Sequence, residues 1–358
     1  MFTFKQFFKE NYTVIWAKDG ESKTHELKVT DDQFSRAYRY LSVNKDAEAE
    51  AVKHITEEAG LNEKFAKQIV SIALQHNNPE AFFNALKNKS DITSILNSKN
   101  VINFVVEKYG VDRGFAEALL SYQPATQPVS GKGEIFLLLF AKGAKKIVKK
   151  RGDTVSGDIS IDGVIYEIKG SGAILRGQKG YGTAKAAIAA WDAGLKKLAQ
   201  KANIQLPQMQ SFTIGPKSPG PINNSVPALI ASGKVTRDDI LNLYIDGFTK
   251  LYDAADRDFV HEWLNRSLDQ EGKMNAEFLI NYYIFAIQYY AMQEDFNYLV
   301  SLITIDGAKN NGNVSYISVD QILNNENITD YILPKDYGSI TPNVGVQSSW
   351  IGIKPANA

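Results

Sequence analysis

Apolar residues recur at spacings of three and four from about residue 31 to 122, as in Phe65, Ile69 and Ile72. That is the period of helices with one buried face. Ahead of them, residues 1–30 read as a short amphipathic start and then a hairpin, Thr13–Ala17 and His25–Val29, around Asp19-Gly20. After residue 133 the pattern changes. Glu134–Lys150 reads as a helix, and Val155–Ile161 and Val164–Lys169 alternate with the period of strands about Asp162-Gly163. Gly170–Gly182 is a Gly-rich loop, Thr183–Ala202 an Ala-rich helix, and residues 206–235 are loop-like, with Pro216, Pro219 and Pro221. Helices are expected at about 236–253, 256–268 and 274–293, and strands at Tyr298–Ile305 and Val314–Val319. The tail after 340 is weakly patterned.

Within the helical region, Gly60-Leu-Asn-Glu-Lys-Phe-Ala-Lys-Gln-Ile-Val-Ser71 matches Gly110-Val-Asp-Arg-Gly-Phe-Ala-Glu-Ala-Leu-Leu-Ser121, offset by 50 residues. Each copy reads as a helix, a Gly stop, an Asn or Asp cap and a second helix. Two copies are too few for a solenoid, so packed helical hairpins are expected. Residues 122–133 have linker composition. The expected organisation is a helical N-terminal domain (1–122), a linker (123–133) and a second domain (134–358). The second domain has its core at 134–202, helices inserted at about 236–293 and further strands at about 298–319.

The 358 residues contain no Cys. That removes disulfides, a thiolate nucleophile and Cys-ligated metal, and fits a reducing compartment. Ala276 to Met292 is the most apolar stretch, but it contains Glu277, Asn281 and Gln288 and reads as a buried helix rather than a membrane span. Its rings, from Phe278 to Tyr290, read as core. No signal peptide is visible, so the expected location is the cytoplasm. Formal net charge is zero, yet residues 132–201 hold 14 Lys/Arg against six acids, a local excess of eight that attracts polyanions.

The informative segment is Gly157-Asp158-Ile-Ser-Ile-Asp-Gly-Val-Ile-Tyr-Glu167-Ile-Lys169-Gly170. A two-residue Asp-Gly turn fixes register. Ile161 should face Val164, Ser160 Ile165, Ile159 Tyr166, and Asp158 Glu167. Carboxylates directly opposite would stand about 4.5–5.5 Å apart and repel unless compensated. A divalent cation is the natural compensator, and Mg²⁺ leaves positions for water and phosphate. Alternation puts Lys169 on the Glu167 face, with Ile159, Tyr166 and Ile168 behind it. Such a set suits phosphodiester hydrolysis, with Lys169 orienting or helping to deprotonate the water. Glu134, on the preceding helix, would bind the metal through water or position the substrate.

This arrangement resembles the PD-(D/E)XK nuclease superfamily, whose core runs helix, three strands, helix, strand. The resemblance covers about residues 133–202. It matches Asp158 to the motif Asp, Glu167-Ile168-Lys169 to Glu-x-Lys, and Glu134 to the helical Glu. It departs in having Gly157 where Pro commonly precedes the Asp, and in lacking an immediate later core strand, for which Tyr298–Ile305 is the candidate. The resemblance implies an α/β, restriction-endonuclease-like mixed-sheet core with a helical N-terminal domain and a helical insertion. It also implies a DNA endonuclease using Mg²⁺, or Mn²⁺ in its place. Lys145, Lys146, Lys149, Lys150, Arg151, Arg176, Lys179 and Lys185 would contact phosphates. Cutting both strands with one such site implies a homodimer.

Other motifs fail. Gly170-Ser-Gly172 does not continue as a dinucleotide fingerprint, and Gly177 to Thr183 lacks the Lys of a phosphate-binding loop. His76 has no partner His for a His-Asn-His site. His25, His54 and His261 read as structural or exposed. Residues 1–10 resemble the amphipathic start of tailed-phage head proteins, which implies packaging in a virion beside such proteins. The alternatives are an inactive phage head or DNA-binding protein with the same fold, and an interaction protein whose repeat directs a weak nuclease.

Overall fold

The computed structural model describes residues 12–18, 21–27, 45–122, 131–147, 157–171, 174–175, 181–206, 220–252, 255–305, 307–324, 327–334 and 351–357. β1 (Tyr12–Lys18) and β2 (Glu21–Leu27) form the expected N-terminal hairpin, with Lys18 opposite Glu21. Among the described residues six helices follow: α1 (Lys45–Glu57), α2 (Glu63–Ala73), α3 (Pro79–Lys87), α4 (Ile92–Asn97), α5 (Val101–Tyr109) and α6 (Arg113–Ser121). The repeat is reproduced in detail. Gly60 and Gly110 both adopt positive φ, and the side chains of Asn62 and Asp112 accept hydrogen bonds from the amides of Phe65 and Phe115 at 3.0 Å. These caps satisfy amides that the first helical turn leaves orphaned.

α7 (Glu134–Phe140) is shorter than expected. Ala141 is already extended, and Gly143 turns the chain with a φ of 71°. Lys145–Lys146 is therefore a strand, β3, and not the helix predicted to run to Lys150. β4 (Ile159–Ile161) and β5 (Val164–Lys169) form the predicted hairpin, with Ile161 opposite Val164 and Ile159 opposite Tyr166. The loop after β5 contains a short strand, β6 (Ile174–Leu175). Next come α8 (Tyr181–Ala202), α9 (Gly220–Ala231), α10 (Arg237–Leu251), α11 (Arg257–Ser267) and α12 (Phe278–Gln293). α9 corrects the loop expected at 206–235. Its Pro221 lies in the first turn, where a missing N–H costs nothing.

β7 (Tyr298–Leu302) then lies parallel to β5, with Glu167 beside Leu299 and Lys169 beside Ser301. β8 (Val314–Ser318) pairs antiparallel with β7, which completes a mixed sheet of order β3-β4-β5-β7-β8. After α13 (Val319–Leu323) and α14 (Ile328–Tyr331), β9 (Ile332–Pro334) and β10 (Ile351–Pro355) join β6 in a small second sheet. β10 falls in the tail that pattern alone left unassigned. The chain is thus mixed α/β. Among the described residues no helix is long and apolar enough to cross a membrane.

Burial divides the sheet into two faces. Ile159, Ile161, Tyr166, Ile168, Val300, Leu302 and Val314 join one continuous core with α7 and helices α1 to α6. Helices α1 to α6 and this face of the sheet contribute to the same buried cluster. The other face, with Leu299 and Ile317, packs on Tyr283, Ile287 and Tyr290 of α12. The opposite side of α12 (Phe278, Tyr282, Phe285 and Tyr289) fills an aromatic core with α8, α10 and α11. A helix that is apolar all round is buried all round, and α12 is the shared wall.

Candidate active site

β5 presents two charged residues on one face because its alternation sends Tyr166 and Ile168 into the apolar core and Glu167 and Lys169 to the other side. Glu167 is only 3% exposed. Its Oε1 accepts a hydrogen bond from the Tyr290 hydroxyl at 2.6 Å and is ion-paired with the Lys169 ammonium. That ammonium also lies 5.4 Å from the centre of the Tyr290 ring, in cation–π range.

Asp158 is near these groups, but not as a rung directly opposite Glu167. The ladder pairs end at Ile159–Tyr166, and the Asp158 amide donates instead to the Tyr166 carbonyl at 2.9 Å. Its carboxylate accepts from the Ile168 amide at 2.7 Å. The cause is Gly157, whose φ of 91° is left-handed. A Cβ there would overlap the Ile165 side chain, so the chain leaves the ladder at this residue.

Glu134 arrives from the start of α7. Gly133 and Gly170 allow that helix start to settle over the ends of β5 and β7. A Cβ on Gly170 would fall 2.8 Å from the Lys132 carbonyl oxygen, and one on Gly133 would fall 2.5 Å from Leu302. The ends of β5 and β7 are tied reciprocally. The Ser171 amide donates to Thr304 Oγ1 at 3.0 Å, and the Thr304 amide to Ser171 Oγ at 2.9 Å.

The four residues matched to the nuclease motif thus form one electrostatic cluster. Burial, reinforced by Glu167 and Glu134, pushes the Asp158 carboxyl up to about 7. Burial also raises Glu134, against a hydrogen bond from the Gly131 backbone and the attraction of Lys146. For Lys169, burial opposes the charge, but Glu167, Asp158 and Glu134 together outweigh it and hold the ammonium above its ordinary value. Burial lowers Lys146 despite the pull of Glu134 and Asp158. Among the described residues three carboxylates face two ammonium groups, so full ionisation of these five leaves one negative charge unbalanced. Asp158 retaining its proton absorbs that imbalance.

A divalent cation would absorb it equally well. Among the described residues no three His, Asp or Glu side chains are disposed to hold an ion. The donors are the hard oxygens of Asp158 and Glu167, with Glu134 behind them. One or two carboxylates completed by water and phosphate oxygens is the ordinary coordination of Mg²⁺, so the donor set fits that ion.

The predicted phosphate contacts divide. Lys145 is exposed on β3 and Lys185 is exposed on α8. Lys146 turns toward Glu134 and Asp158 and belongs with the carboxylates. Lys149, Lys150, Arg151, Arg176 and Lys179 lie outside the described residues. Tyr290 was not anticipated, because nothing in a helix so rich in apolar and aromatic residues marks one ring as facing polar groups. His76 pairs with Asp112 at 3.2 Å, next to the α6 cap, a structural contact. Compared with known proteins, the chain matches no family model, no curated protein and no solved structure.

Proposed function

We propose that this chain is a Mg²⁺-dependent endonuclease acting on DNA. One observation carries the reading. Asp158 just before β4, Glu167 and Lys169 on β5, and Glu134 from the start of α7 meet in one cluster at the centre of the sheet. The sheet runs helix, three antiparallel strands, intervening helices and a strand parallel to the third. That order is the one the resemblance leads one to expect. In this reading Asp158 and Glu167 hold the ion and Glu134 assists through water.

Asp158 and Glu167 would hold Mg²⁺, which when bound would lower the pKa of a coordinated water and offset charge on the phosphoryl oxygens. Lys169, held charged by its carboxylate neighbours, acts as a hydrogen-bond donor that aligns the water and balances the charge developing on the phosphate. Lys146 adds a second positive group beside Asp158. Lys145 and Lys185 supply exposed charge for the nucleic-acid backbone.

The test is plasmid cleavage with Mg²⁺, with Mn²⁺ and with EDTA, comparing wild type with the double variant Glu167→Ala, Lys169→Ala. Metal-dependent nicking or linearisation that the variant loses is the expected result. Cleavage that persists in the variant, or salt-dependent DNA binding with no cleavage under either metal, overturns it. The latter result would favour a binding protein.

A further inference from the structure

We propose that Tyr290 is a positioning residue for the metal-binding carboxylate: its hydroxyl fixes the orientation of Glu167 and its ring seats Lys169. This inference rests on the endonuclease reading and extends the site from the sheet to the inserted helices. A glutamate on a strand has freely turning outer torsions, and a carboxylate that must present a chosen oxygen to an ion needs a partner to set its plane. The phenol is that partner. It donates to Oε1 at 2.6 Å in a buried setting, where the ionised carboxylate can only accept.

Tyr290 is itself immobilised. Its helix is wedged between two cores, with Phe278, Tyr282, Phe285 and Tyr289 locked into one and Tyr283 and Ile287 into the other. The ring that donates to Glu167 also stands 5.4 Å from Lys169 Nζ, so one side chain constrains both members of Glu-x-Lys. Tyr290 thus links the helices inserted between β5 and β7 to the site.

The experiment is Mn²⁺ titration of the full-length protein, following the paramagnetic resonance signal of the free ion. It compares wild type, Glu167→Gln, Tyr290→Phe and Tyr283→Phe, with thermal midpoints measured alongside. Tyr290→Phe keeps the ring and deletes only the donor. The expected result is loss of the tight site in Glu167→Gln and a roughly tenfold weaker dissociation constant in Tyr290→Phe. Tyr283→Phe, on the same helix face, stays within about twofold of wild type. If Glu167→Gln loses binding while Tyr290→Phe matches wild type, positioning by Tyr290 is overturned and the endonuclease reading stands. Equal weakening in both Tyr variants also overturns it, since that is the mark of general helix packing. Mn²⁺ binding unchanged in Glu167→Gln overturns both the endonuclease reading and this proposal.

Discussion

The two faces of strand β5 differ in almost everything but their backbone. On one, Tyr166 and Ile168 join a core built with α7 and the N-terminal helices, and Tyr166 stacks on Tyr298 with ring centres 5.2 Å apart. On the other, one pleat away, Glu167 is buried and Lys169 half-buried, with Ser301 beside them and a tyrosine above. The first face gains stability from removing apolar area from water. The second gives some of that up, because buried charges are sustained only by close partners. A sheet that keeps such a face at its centre gives up stability there, a cost that the proposed endonuclease site would account for.

The comparison is broken most severely by exchanging the two kinds of residue. Lys169→Ala should reduce cleavage by roughly a thousandfold or more while the chain stays folded, since charge stabilisation at the phosphate is lost. Turnover within tenfold of wild type would remove Lys169 from the site. Ile168→Ala, its neighbour on the apolar face, should cost about 2–5 kcal/mol of stability. The activity of the fraction that remains folded should be nearly unchanged. Urea unfolding followed by circular dichroism reads the first effect, and cleavage per folded molecule the second.

pH sharpens the contrast. The folded carboxyl of Asp158 is raised by burial, Glu167 and Glu134 to about 7, above its value in the unfolded chain. Between those two values the native state holds a proton that the unfolded state has released, so stability falls as pH rises through that window. The metal-free protein should gain roughly 1–4 kcal/mol between about pH 8 and pH 5. Asp158→Asn should lose most of that gain, with Glu134, also raised by burial, left to contribute the remainder. A metal-free thermal midpoint that climbs with pH instead would contradict the crowding of carboxylates. The smallest effect concerns Ser301, fully buried with its Oγ lacking a hydrogen-bond partner among the described residues. Ser301→Ala should be neutral or stabilising by less than about 1 kcal/mol, because no bond is lost and a buried hydroxyl is removed. Lost cleavage at unchanged stability would mean instead that the hydroxyl meets the substrate.

What could be read from the chain alone followed the range of the interactions. The Asp162-Gly163 turn determines three rungs of the hairpin locally, and those rungs are present. Alternation along six residues places Glu167 with Lys169, and their ion pair is present. Asp158 departs from its predicted rung because Gly157 in the left-handed region ends the ladder, and the sequence reads that glycine only as a replaced proline. Lys146 was expected on a helix, because the apolar run of α7 does not reveal that Gly143 will stop it. Tyr290 was hidden for a different reason. Five other aromatic residues share its helix, and only the tertiary arrangement distinguishes the ring that reaches Glu167 from those that fill the core.

The parallel pairing of β5 with β7 also governs when the site comes into being. Glu167 is synthesised well before Leu299, its neighbour in the sheet, and the helices between them fold on contacts close in sequence. Closing so long a loop is slow compared with forming those helices. A growing chain that has already made Asp158, Glu167 and Lys169 still lacks Tyr290 and the strand that seals the sheet. The buried carboxylates are therefore assembled late in biosynthesis, once more than four-fifths of the 358 residues have been joined.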